Sequence, residues 1–150
     1  MDLKARLHQD LWAALKAGRK VEASTLRLLL SAVKNREVEK RGQLIEPEIL
    51  QLIVKECNQR RDAMEQFRRG GREDLALKEA AELEFLEGFL PQAMPPEELL
   101  AKIQEAIVAT GAGSIKDMGK VMACLMPQVA GRADGSMVSR LVRQELSEGG

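Results

Sequence analysis

The chain has 150 residues, of which 45% are hydrophobic, 31% charged and only 3% aromatic. This length suits one ordinary domain or two small ones, and an aliphatic core with few aromatic residues is typical of helix-on-helix packing rather than of a sheet. The 23 basic and 23 acidic side chains give a net charge of zero, which argues against the basic overall surface of a protein that neutralises many phosphates.

Four helices are predicted in the first 90 residues from the spacing of apolar side chains and from the glycines and prolines between them. Their predicted bounds are 2–17, about 22–40, about 47–69 and 74–89. Gly18 is expected to cap the first, because glycine adopts the left-handed conformation without steric cost, and Gly42 is expected to break the second. The apolar residues expected on the buried side of the second helix are Leu26, Leu29, Leu30, Val33 and Val38.

A basic block and an acidic block follow one another in the third and fourth predicted helices. Their members are Arg60, Arg61, Arg68, Arg69 and Arg72, followed by Glu73, Asp74, Glu79, Glu82, Glu84 and Glu87. We interpret the blocks as flanks through which the two helices pair in part, since opposite charges on neighbouring helices attract. An RNA-binding arm is the alternative interpretation.

A proline-rich segment, Leu90–Pro96, follows the fourth helix. Its three prolines cannot continue a helix. The segment therefore predicts a hinge between two domains of an all-α protein. The first is an N-terminal four-helix domain, residues 1–90, and the second is a C-terminal three-helix domain, residues 95–150.

Three helices are predicted in this C-terminal domain. The first begins at Pro96, a residue well suited to the first helical position, and ends at the glycines near residue 111. The second is expected to open with a capping box formed by Ser114 and Asp117 and to close at Pro127. Asp134 is expected to cap the third.

Residue types that carry catalysis are scarce. His8 is the one histidine, and it lies beside an apolar stripe without a nucleophile or orienting group nearby in sequence. Cys57 and Cys124 belong to no CxxC pair. We therefore expect no catalytic residues, no metal site and no cofactor. Free thiols, no membrane-spanning apolar run and no signal-type segment predict a cytosolic protein that does not enter a membrane.

Cations and glycines concentrate near the C-terminus. The candidate nucleic-acid-binding residues are Lys116, Lys120, Arg132, Arg140 and Arg143. A continuous helix would place Lys116 and Lys120, four residues apart, on one face. Gly119 and Gly131 would let backbone approach a partner, and Arg132 would lie near a helix start that favours phosphate. The alternative is a tight three-helix fold that needs glycine at helix crossings and cations for solubility.

Several motifs along the chain resemble those of the YqeY family. They are Thr25–Asn35, Phe89–Gln92, Lys116–Met122, Met126–Pro127 and Gly131–Gly135. The C-terminal domain of that family is related to the tail of GatB, a subunit of the glutamine-dependent aspartyl/glutamyl-tRNA amidotransferase. The resemblance implies an all-helical two-domain protein whose tail-like domain associates with tRNA. It also implies a label of carbon–nitrogen ligase activity with glutamine as amido-N-donor.

Three functions follow as hypotheses. The first is an accessory module that binds tRNA or another RNA through the C-terminal cations. The second is a protein–protein interaction module that docks through the N-terminal domain, whose outer face carries Arg27, Lys34 and Arg36. The third is the amidotransferase-like enzyme that the family label implies, although neither an ATP-binding loop nor a glutaminase nucleophile is visible in the residues.

Overall fold

A computed structural model describes residues 2–149 and confirms the all-helical fold class. Within that range the structure has seven α-helices and one short 3-10 helix, with a single isolated β-bridge between Ala130 and Ala133. The helices are α1 (Leu3–Ala17), α2 (Lys20–Lys40), α3 (Glu46–Arg69), α4 (Glu73–Glu87), α5 (Pro96–Thr110), the 3-10 helix (Ile115–Asp117), α6 (Met118–Val129) and α7 (Gly135–Gly149).

The chain divides into two compact units, the first ending at Leu90 and the second beginning at Pro91. In the first unit, α1 packs on α2 and α3 packs on α4. Its core consists of buried aliphatic residues from all four helices, with one cysteine and one phenylalanine. The members are Leu3, Leu7, Leu26, Leu29, Val33, Leu44, Ile49, Ile53, Cys57, Leu86 and Phe89.

The first helix boundaries follow the predicted capping, with one exception. Gly18 ends α1 in the left-handed conformation at φ 73°, as expected. The second helix ends at Lys40, two residues before Gly42, and its left-handed cap is Arg41, which adopts φ 61° and whose N–H bonds to the carbonyls of Glu37 and Val38. Gly42 therefore follows the cap, and Arg41 adopts a left-handed conformation that is sterically unfavourable for residues other than glycine.

One residue predicted to be buried is exposed, since Val38 on α2 is 69% exposed. The inward face of the last turn of α2 is taken by Glu37, whose carboxylate accepts from the N–H of Leu44 at 3.0 Å and from the Nζ of Lys4 at 2.8 Å. Val38 follows Glu37 by about 100° around the helix and so faces solvent.

Ion pairs link α3 to α4, as we interpreted from the charge blocks. The pairs are Arg60 with Glu82, Arg61 with Glu87, and Arg68 with Glu73, at 3.3, 3.1 and 3.7 Å. Arg60 is nearly buried, and its Nη1 also donates to the carboxylate of Glu56 at 2.7 Å. Arg60 is therefore engaged in packing, whereas the other arginines of the block form exposed ion pairs, which are weak.

The second unit has its own aliphatic core, contributed by α5, α6 and α7. The core residues are Met94, Leu99, Ile103, Ala106, Val121, Leu125, Val129, Val138, Val142 and Leu146. Pro127 was expected to close the middle helix, and that prediction is wrong. The helix continues through Pro127 to Val129, which is fully buried, and the N–H of Ala130 still bonds to the carbonyl of Met126 at 2.9 Å.

Both cysteines are free, as predicted. Cys57 is buried in the first core, and burial raises the pKa of its thiol to about 11. A thiol held in its protonated form is a poor nucleophile. Among residues 2–149, no helix combines the length and the apolar character that a membrane span requires.

Candidate functional site

The short connection between α5 and α6 determines where the first two candidate lysines lie. Ser114 caps the 3-10 helix by accepting from the N–H of Lys116, and α6 begins only at Met118. Lys116 therefore belongs to the 3-10 helix and Lys120 to α6. The prediction that one continuous α-helix carries both lysines is wrong, because the capping box opens a separate turn first.

Lys120 is exposed but lies beside a carboxylate. Its Nζ is 3.9 Å from Oδ1 of Asp117. The N–H of Gly113 donates to that carboxylate at 2.9 Å and holds the pKa of Asp117 below its usual range, with Lys120 contributing. An exposed pair at this distance is weak and screened by salt, so Lys120 can still meet an anion, although at a partly neutralised position.

The two candidate glycines have different surroundings. Gly119 is exposed, and an added Cβ would meet no atom within 4 Å. It therefore serves no helix crossing within the second unit, and partner backbone could approach there. Gly131 is buried and adopts φ 78° in the turn between α6 and α7. Its conformation serves the turn, so the prediction that Gly131 offers an open approach is wrong.

Arg132 is engaged inside the second unit. Its guanidinium faces both oxygens of Glu98 at 3.2 and 3.4 Å, and its Nε donates to the carbonyl of Gln92 at 3.0 Å. Its own carbonyl accepts from the N–H of Met94 at 2.8 Å. These bonds fasten the segment before α5 to the α6–α7 turn. Contact of Arg132 with phosphate stays a prediction, and it would require a partner to break this pairing first.

Arg140 and Arg143 lie on the outer face of α7 and are exposed. Neither they nor Lys116 forms an ion pair within the described part of the chain. The acidic residues of α7, Glu145 and Glu148, lie elsewhere around the helix, whereas Ser136 and Ser147 share the arginine side. The 3-10 helix that carries Lys116 packs against α7. The structure thus keeps three uncompensated cations on adjacent elements.

Asp134 positions this helix as predicted. Its carboxylate accepts from the N–H of Ser136 at 3.0 Å, and its carbonyl accepts from the N–H of Val138 at 2.9 Å. The cap also places a negative charge at the start of α7, the end where an anion would otherwise be favoured. Phosphate contact on α7 is therefore expected along its side and not at its N-terminus.

A second group of cations lies on α2 and was only partly recognised from the sequence. Arg27 and Lys34 were noted as part of an outer face, whereas Lys20, which extends the same side of α2, was not. The signal was available, because the three residues follow one another at intervals of seven. Elsewhere, residues 2–149 contain no group of three or more metal-ligating side chains close enough to hold a metal ion.

Curated proteins similar to this chain bear the name Altered inheritance of mitochondria protein 41, mitochondrial. The one from Lachancea thermotolerans is 36% identical over 93 residues, which are 61% of this chain and 50% of the relative. The one from Eremothecium gossypii is 34% identical over 105 residues, 67% of this chain and 57% of the relative. The one from Pyrenophora tritici-repentis is 27% identical over 142 residues, which are 93% of this chain and 78% of the relative. The chain spans about half the length of the first two.

These names correct the predicted location. The sequence predicted a cytosolic protein, whereas the curated relatives are named as mitochondrial proteins. The prediction was wrong because free thiols and the lack of a signal-type apolar run argue only against an oxidising secretory compartment. They do not select the cytosol over other compartments.

The similarity to one protein family covers almost the whole chain. The YqeY family, described as Yqey-like protein, matches residues 4–146. That range contains every motif on which the resemblance was based, from the Thr25–Asn35 segment to the Gly131–Gly135 turn. The resemblance is confirmed, and the chain belongs to the YqeY family of Yqey-like proteins.

Proposed function

We propose that this chain is an accessory RNA-binding module, with tRNA as its first candidate ligand, and that the second unit provides the contact surface. The observation that carries the proposal is the side of α7 with Arg140 and Arg143, both exposed and without an ion pair among the described residues. Lys116, on the 3-10 helix packed against α7, adds a third such cation. Cations left uncompensated in a chain of zero net charge are suited to phosphate contact.

The number of contacts sets the strength of this binding. Three phosphate contacts would make affinity modest and would lower it about 20- to 40-fold between 50 and 200 mM salt. Choosing tRNA over other RNA rests on the resemblance to the GatB tail. We attribute no amide transfer to the chain itself, since the described residues supply neither an ATP-binding loop nor a paired nucleophile and base.

Charge reversal on α7 tests the proposal. The Arg140→Glu/Arg143→Glu variant should bind tRNA about tenfold or more weakly at 50 mM salt and should reduce the salt slope by about 2. Fluorescence anisotropy with labelled tRNA measures both quantities. Lys55→Glu/Lys78→Glu is the matched control, because it changes the net charge equally at exposed lysines that have no ion pair in the described chain. Equal losses in the two variants would contradict a contact on α7.

A protein–protein interaction module is the second candidate function. It is favoured by Trp12, which is 66% exposed on α1, since exposed tryptophan is unusual outside interfaces. Pull-down from lysate with and without nuclease separates the candidates. Partners that disappear after nuclease treatment support RNA binding, and partners that persist and are lost with Trp12→Ala support the second function.

We further propose that the two compact units are separate domains joined at Leu90–Pro91. A broad-specificity protease such as subtilisin should cut the native chain first between Gly88 and Ala93, because these residues lie outside the helices and most are exposed. Mass spectrometry of the fragments gives the site. First cuts inside α3 or α5 would contradict the division.

A further inference from the structure

A row of three cations extends along one side of α2. Lys20, Arg27 and Lys34 are spaced by seven residues, and seven residues make almost two helical turns, so the row drifts by only about 20° per step. At 1.5 Å per residue the cations are about 10 Å apart and the row is about 21 Å long. Arg41 follows at the same interval, but it is the left-handed cap beyond the helix. All three side chains of the row are exposed, and none has an ion pair within residues 2–149.

The helix contains carboxylates, and each of them pairs with a cation outside this row. The pairs are Glu22 with Arg19 at 3.0 Å, Glu37 with Lys4 at 2.8 Å, and Glu39 with Arg36 at 3.3 Å. Each engaged carboxylate is matched by a cation outside the row. The row therefore keeps its positive charge although the helix as a whole is mixed.

Two cavities lie beside the row, where α2 meets α1. One of about 250 Å³ is lined by Arg19, Lys20 and Arg27 together with Ser24. The other, of about 420 Å³, is lined in part by Lys34 and by four further polar residues, Lys4, His8, Ser31 and Glu37, of which Glu37 pairs with Lys4 at 2.8 Å. The serines lie between the cations, so each opening presents hydroxyl groups next to positive charge.

The chemistry of the row distinguishes nucleic acid from protein. Protein interfaces are built around a desolvated apolar centre with a polar rim, whereas Ser24 and Ser31 lie between the cations of the row, and the exposed apolar residues of α2, Val21, Leu28 and Val38, are seven and ten residues apart. Lysine, arginine and serine are the side chains that most often contact phosphate oxygens. A row of donors about 21 Å long suits a polymer with regularly repeated anions better than a compact acidic patch.

We propose that the α2 row is a second RNA-binding surface, contacting the phosphate backbone independently of the α7 arginines. The choice of RNA as the polyanion rests on the proposed function, whereas the surface itself rests on the first unit alone. Backbone contact through cations and serines carries no sequence information. This surface would therefore add affinity and salt dependence without selecting one RNA.

Anisotropy of a labelled single-stranded oligoribonucleotide with the full chain tests the inference. Arg27→Glu/Lys34→Glu should weaken binding about tenfold or more at 50 mM salt and reduce the salt slope by about 2. The Lys55→Glu/Lys78→Glu control should change affinity less than threefold. Thermal unfolding followed by circular dichroism should show unchanged helicity in both variants, because the replaced side chains are exposed.

The α7 variant makes the two proposals separable. Weaker RNA binding by both the α2 and the α7 variant supports both surfaces. Weaker RNA binding by the α2 variant alone supports this inference and contradicts the proposed site on α7. Weaker RNA binding by the α7 variant alone overturns the inference. Retained affinity in the α2 variant, or polyglutamate binding to the row as tightly as RNA does, would also overturn it, the latter in favour of an acidic protein.

Discussion

Replacing Arg60 by alanine is expected to destabilise the first unit by about 3–5 kcal/mol, the usual cost of removing one partner from a buried ion pair. The guanidinium lies between Glu56 and Glu82 at 2.7 and 3.3 Å, and the side chains of all three are largely shielded from solvent. The Nε of Arg60 has no hydrogen-bond partner. Its contact with Glu82 is therefore an attraction between charges without the donor–acceptor alignment of a hydrogen bond. Urea unfolding followed by circular dichroism measures the loss.

Arg61 provides a matched control. It is the next residue on α3 and also pairs across to α4, with Glu87 at 3.1 Å, but both side chains are about half exposed. Arg61→Ala should cost less than about 1 kcal/mol, because exposed ion pairs contribute little. Similar losses for the two alanine variants would contradict the assignment of Arg60 as a buried structural cation.

The cost of Arg60→Ala should also depend on pH. Burial, followed by the neighbouring Glu82, raises the pKa of Glu79 above its ordinary value of 4.5, while Arg60 opposes that shift. Removing Arg60 raises this pKa further. A carboxyl whose pKa is raised in the folded state destabilises the fold as pH rises from its unfolded pKa through its folded pKa. The variant should therefore lose more stability at pH 7 than at pH 4.

Replacing Ile103 by alanine is expected to destabilise the second unit by about 2–5 kcal/mol, through lost apolar burial and the cavity left behind. Ile103 is fully buried on α5, between the side chains of α6 and α7. Since α7 carries Arg140 and Arg143, the variant should also weaken the proposed RNA contact above its lowered unfolding temperature. Differential scanning calorimetry of the full chain measures the shift.

Val108 is the control for this substitution. It lies on the same helix and is 81% exposed, so Val108→Ala removes almost no buried surface. Its effect should stay within about 0.5 kcal/mol, as is usual for surface substitutions. A loss comparable to that of Ile103→Ala would show that α5 is covered by something outside the second unit.

Helix positions could be predicted from the sequence because local chemistry determines them. Gly18 and Gly111 end helices in the left-handed conformation, and Pro96 begins one. Burial within the helices was less predictable, since periodicity identifies an apolar stripe without showing where tertiary packing ends. Val38 continues the apolar pattern of α2, but Glu37 makes the contacts at that level.

The candidate site was harder to predict than the fold for a related reason. Sequence spacing selected Arg132 as readily as Arg140, and nothing local distinguishes the two. The partner of Arg132 is Glu98, which is 34 residues away in sequence and meets it only after folding. Lys116 and Lys120 show the same limit, because the 3-10 helix that separates them replaces the expected α-helical turn.

The bonds of Arg132 have a practical consequence for isolating the second unit. A fragment that begins at residue 95, as the proline pattern suggested, would lack the carbonyl of Gln92 and the N–H and buried side chain of Met94. Its arginine would lose one of its acceptors, and the pocket filled by the methionine would be left empty. Expression of this part alone should therefore start at Pro91, four residues earlier than the proline pattern suggested.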